Sequence, residues 1–90
     1  MAIVDIDRLD WSQAVVAKVN SNHHLTIDDV ESAVENYEQM AWDHHHQHGT
    51  RLLVRGRTEH GRAVRVVLYP TDSIGVFNVG TAFCGVMLRW

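Results

Sequence analysis

The sequence predicts an α+β domain in which two N-terminal helices pack on one face of a three- to four-stranded antiparallel β-meander. Apolar residues recur every three to four positions through the first forty residues, as on one face of a helix. From Met40 the period drops to two, the spacing of a half-buried strand. The apolar runs that follow are separated by short Gly- and Pro-bearing turns, and short connections make sequential strands antiparallel. Two helices with one apolar stripe each lay those stripes on one side of the sheet. The opposite side is then left to arginines and other polar residues.

Ile3, Val4 and Ile6 fit either a short first strand or an extended lead-in. Asp10 fits a helix N-cap because Gln13 follows three residues later, as in a capping box. Trp11, Val15, Val16 and Val19 form the stripe of the first helix, which is expected to stop at Asn20-Ser21-Asn22. Thr26 caps the second helix, with Asp28 and Asp29 in its first turn, where the helix dipole favours negative charge. Ile27, Val30, Val34 and Tyr37 share its apolar face, and it is expected to run to about Tyr37. The first strand of the meander starts at Met40 and ends at the turn around His48-Gly49. The second spans Thr50 to Thr58 and turns back through Glu59-His60-Gly61, with Gly61 suited to positive φ. The third spans Ala63 to Tyr69 and stops at Pro70. The last runs from Ile74 to Phe83, with Gly75 and Gly80 as candidate bulges. The apolar tail Gly85 to Trp90 is expected to cover a sheet edge or meet a partner. Trp11, Met40 and Trp42 read as core, and Cys84 as a small buried apolar residue.

Ninety residues make one domain, residues 1–90. No apolar run reaches the roughly 18 residues of a membrane span. A single cysteine cannot form an internal disulfide. The acidic start lacks a signal peptide's basic region. A cytoplasmic location is the expectation. The net charge of −3 conceals an asymmetry. Residues 1–50 carry nine acids against Arg8 and Lys18, a net of −7. Residues 51–90 carry six arginines against Glu59 and Asp72, a net of +4. A half made basic by arginine alone suits phosphate, because the planar guanidinium fork matches its oxygens. The competing account is that these arginines pair with the acidic helices.

Arg55 and Arg57 lie two apart and face one side of their strand. Arg65 and Tyr69 share parity on the next strand. If the register aligns all four, they make a positive platform that holds a scissile phosphate, with Tyr69 stacking on a base. His23 and His24, between the helices, are the candidates for proton transfer in RNA cleavage; otherwise they are loop histidines that cap or pack. The Thr81 hydroxyl on the last strand is placed to orient a phosphate oxygen, or is an ordinary strand threonine. His44, His46 and His48 alternate along a strand and are an alternative metal-binding set, though no HExxH pattern and no CxxC pair accompanies them.

Leu9-Asp10-Trp11, the link His24-Leu25-Thr26-Ile27-Asp28-Asp29-Val30, and the hairpin Leu53 to Arg62 resemble, in order and spacing, BrnT-type toxins. That family has a Trp–Asp/Glu helix, a Lys-His-Gly link and an Ile-Gly-Arg-Thr hairpin. Val66-Val67-Leu68-Tyr69 and Val79-Gly80-Thr81-Ala82 also sit where the family has its later strands, so the resemblance covers residues 9–83. The resemblance implies a RelE-like fold and an endoribonuclease toxin of a type II toxin–antitoxin system. It implies metal-independent RNA cleavage by 2′-hydroxyl attack, with no cofactor and a small antitoxin protein as partner. A homodimer is the other assembly weighed. Carried over by position, His24 matches the link histidine, Arg57 the hairpin arginine and Thr81 the last-strand hydroxyl. Ala82 is followed by Phe83 where the family has arginine, and Asn22-His23-His24 stands in place of Lys-His-Gly. These departures, with the acidic helices, favour the alternative of a non-enzymatic protein-binding or regulatory module on the same fold.

Overall fold

A strand of three residues opens the architecture in the computed structural model, which describes residues 4–47 and 49–84. This is β1 (Arg8–Asp10), followed by helices α1 (Gln13–His23) and α2 (Ile27–Glu35) and strands β2 (Tyr37–His45), β3 (Gly49–Arg57), β4 (Ala63–Pro70) and β5 (Val76–Cys84). The sheet order is β1-β5-β4-β3-β2. β2 to β5 pair antiparallel, and β1 pairs parallel with β5, Leu9 opposite Phe77. The sheet is therefore five-stranded and mixed, not three- to four-stranded and antiparallel throughout. A parallel pair needs a long crossover, and everything between β1 and β5 supplies it. Three residues are too few to show a period, which is why the sequence does not announce β1.

Asp10 is not a helix cap, because it is still extended in β1 opposite Asn78. The cap is Ser12, whose hydroxyl accepts the Val15 N–H at 3.2 Å. α1 also runs past the expected polar stop to His23. It ends at His24, in the left-handed region at φ 54°, whose N–H returns to the Asn20 carbonyl at 3.0 Å. α2 begins on the expected box: Asp29 N–H donates to Thr26 Oγ1, and Thr26 N–H donates to Asp29 Oδ2. It stops at Glu35, two residues before the expected Tyr37, which is already in β2.

The core lies between the helices and one face of the sheet. Val19, Leu25, Val30 and Ala33 meet Leu52, Val54, Val64, Val66, Leu68 and Val79, all buried. Gly56 lets α2 approach β3 closely, since a Cβ there would collide with the Ala33 carbonyl. Trp42 is 46% exposed and so is not a core residue in the expected sense, although its ring reaches Phe77 at 6.3 Å. Trp11 and Met40 are partly buried against the core. Gly61 and Gly75 take positive φ, 84° and 83°, in the turns that follow β3 and β4. Gly75 is thus a turn residue, while Gly80 is the extra residue where the β4–β5 register shifts. Among the described residues no helix is long and apolar enough to cross a membrane. The expected roles of Ile3, His48 and the tail from Gly85 lie outside the described residues.

Candidate functional site

The ladder fixes what the sequence leaves open, the register of the arginines. Even-numbered residues of β3 and β4 enter the core, so Arg51, Leu53, Arg55 and Arg57 share the opposite face with Arg65, Val67 and Tyr69. Arg55 stands directly opposite Arg65, and Arg65 directly opposite Phe83. Facing residues of this kind have Cα atoms roughly 4.5–5.5 Å apart. Two cations and an aromatic ring therefore form one row across three strands. The Arg65 guanidinium lies 6.0 Å from the centre of the Phe83 ring, within the range of cation–π attraction. Arg65 is only 3% exposed. Burial, and the like charge of Arg55, both hold its guanidinium below the usual arginine range.

His23 completes the row. β1 covers only the first part of β5, and α1 lies along that edge. Lys18 of α1 donates to the Gly80 carbonyl at 3.3 Å. The His23 ring at the end of α1 comes within 5.9 Å of Phe83, tilted by 46°. Arg62 fastens this corner: its guanidinium donates to the His24 and His23 carbonyls at 3.3 and 3.4 Å, and to Cys84 Sγ at 2.8 Å. Cys84 is half-buried beside a cation, not the enclosed apolar residue expected. His23 and Arg65 thus flank a single aromatic ring. Arg62 and Phe83 were not singled out as site residues by sequence reasoning. A cation in a turn and an apolar residue in a strand give no sign of their partners until the fold brings them together.

Other expected site residues fall elsewhere or are already engaged. His24 is exposed, and its ring makes no hydrogen bond with the described residues; its place is conformational, at the helix end. Arg57 shares strand parity with Arg55, but its guanidinium pairs with Glu38 at 3.0 Å and donates to the Gly61 carbonyl at 3.1 Å. Glu38 occupies the bulge of β2, where the register shifts between Tyr37 and Gln39. Arg51 pairs with Asp43 at 2.8 Å, which raises its pKa above the usual arginine value, the nearby Tyr69 hydroxyl acting in the same sense. Arg55 forms no ion pair with the described residues. The Tyr69 ring lies over Gly80, at a point where a Cβ would collide with it. Thr81 faces Val67, half-buried, on the same side as the arginine row.

That side is not wholly polar, contrary to expectation. Leu53 and Val67 are 8% and 5% exposed, yet belong to no part of the helix-side core. The histidine alternation also breaks. β2 ends at His45, so His46 falls in the following turn and stacks on His45 at 4.9 Å, while His44 Nδ1 lies 2.9 Å from Thr50 Oγ1. Among the described residues no three His, Cys, Asp or Glu side chains converge as a metal site would require. His48 lies outside the described residues.

No protein-family model, curated protein or solved structure matches the chain. Chemically, the row can attract a phosphate through Arg55, stabilise negative charge beside Arg65, offer Phe83 and Tyr69 as stacking surfaces, and supply an imidazole from His23.

Proposed function

We propose that this chain is an endoribonuclease of the RelE-like, BrnT-type toxin class, which cleaves RNA without a metal and is held in check by a small antitoxin protein in the cytoplasm. The supporting observation is the register that sets Arg55 opposite Arg65, with Phe83 beside them and His23 on the far side of that ring. Arg55 engages the scissile phosphate, and Arg65 strengthens the field on the charge that develops there. His23 takes the proton of the attacking 2′-hydroxyl as the 2′-oxygen–phosphorus bond forms and the phosphorus–5′-oxygen bond breaks, the leaving oxygen taking its proton from water. Arg57, tied to Glu38, serves the edge of this surface, and Thr81 and Tyr69 flank it. The order of two helices and then four antiparallel strands supports this reading, with β1 as a parallel addition.

A second reading, a non-enzymatic binding module, draws support from Arg51 and Arg57, which carboxylates already neutralise, and from the burial of Arg65. Induced expression in bacteria separates the two. The nuclease reading predicts growth arrest with RNA decay, both abolished by Arg55→Ala in a protein that remains folded. Normal growth with abundant folded wild-type protein would favour the binding module.

A further inference from the structure

β2 ends the sheet, so among the described residues one side of its nine residues has no neighbouring strand. Most of the strand is exposed, including Tyr37, Gln39, Ala41, Trp42 and His44. Open edges are usually blunted with charged side chains, above all lysine, with proline, a bulge or very short length. β2 has no lysine or proline; its acidic side chains, Glu38 and Asp43, are paired with Arg57 and Arg51 of β3, and its bulge lies near its start, between Tyr37 and Gln39. Residues 39–45 are regularly paired on the inner side and can extend the ladder outward.

We propose that a second copy of this chain adds to that edge, β2 against β2, antiparallel about a two-fold axis through Ala41. A two-fold axis normal to the sheet keeps equivalent faces on the same side, so residues of like parity oppose each other. Centred on Ala41, Met40 meets Trp42 of the second copy, twice by symmetry, and covers the exposed indole with a thioether that packs well on aromatic rings. On the other face Gln39 meets Asp43 of the second copy, an amide donor against a carboxylate. The smallest side chain of the strand sits on the axis. Centring on Met40 would set Trp42 against the charged Glu38 at the bulge. Centring on Trp42 would set Met40 against His44 and bring the two indoles together on the axis. The strand is thus most self-complementary in one register. In it the two sheets join into one, with both arginine rows on the same side.

Sedimentation equilibrium on the full chain, with Ala41→Lys and with Ala41→Cys in a Cys84→Ser background, tests this. Ala41 is exposed and lies on the face away from the core, so both substitutions leave the fold intact, which circular dichroism checks. The wild type is expected to be a dimer. Ala41→Lys sets two ammonium groups on the axis and is expected to weaken the dimer by about fivefold. Facing Cα atoms at roughly 4.5–5.5 Å suit a disulfide, so the cysteine variant is expected to cross-link to itself on oxidation. If the lysine variant fails to fold, the cysteine variant decides alone. A wild type that is monomeric at all concentrations, a dimer unmoved by Ala41→Lys, or no self-cross-link would each overturn the proposal.

Discussion

Arg55 stands opposite another arginine, and like charges directly facing each other in a sheet cost about 0.2–1 kcal/mol. Arg55→Gln is therefore expected to raise the midpoint of thermal unfolding by that much stability while weakening RNA binding. A variant that loses stability and binding together would mark Arg55 as a structural residue. The two histidines separate just as clearly. His24 holds a left-handed conformation that costs a residue with a side chain about 1–2 kcal/mol and glycine almost nothing. His24→Gly is expected to stabilise the fold by about 1 kcal/mol and leave cleavage intact, whereas His23→Gln is expected to lower kcat by about a hundredfold or more. Steady-state kinetics with both variants would show the reverse if His24 were the proton carrier. From the sequence the two are indistinguishable neighbours in a loop. The helix continues through the first and turns sharply at the second, and only that places one ring against Phe83.

At the scale of elements, close approaches set the geometry of both faces. α2 packs on β3 over Gly56, so Gly56→Ala is expected to cost about 3 kcal/mol, read as a lowered urea midpoint. An unchanged midpoint would mean that α2 is free to shift outward. α2 itself was legible, because Thr26 and Asp29 satisfy each other's backbone N–H groups in a pattern written three residues apart. α1 was legible in kind but not in its start, since Asp10 and Ser12 offer similar capping chemistry and only pairing with β5 decides between them. The period-two runs revealed the longer strands. Their register stayed hidden because it depends on the bulge at Gly80 and on turn geometry, not on alternation. Trp42 looked like core because its parity is right. It lies on the edge strand of the sheet, where too little of the described chain lies above it to cover it.

For the whole molecule, the charge asymmetry of the sequence becomes a division of labour between faces. The acidic first half forms the helices and β2, and two of its carboxylates reach across to neutralise Arg51 and Arg57. Arg55 forms no ion pair with the described residues and stands opposite the buried Arg65, so the positive surface is narrower than the arginine count suggests. On the nuclease reading, RNA affinity should then depend only weakly on salt: one phosphate contact, at Arg55, gives a slope of about −0.7 in log K against log salt, which Arg55→Gln should remove. Cleavage of RNA at the row of Arg55, Arg65 and Phe83, as proposed, is read from the end-group chemistry of the products. Purified protein is incubated with a single-stranded RNA in the presence of a chelator, beside the same strand carrying 2′-deoxy nucleotides at the cleavage positions. The account predicts 2′,3′-cyclic phosphate ends on the RNA, an intact deoxy-substituted strand, and no products from a folded Arg55→Ala variant. Cleavage of the deoxy-substituted strand, or undiminished cleavage by Arg55→Ala, would contradict it.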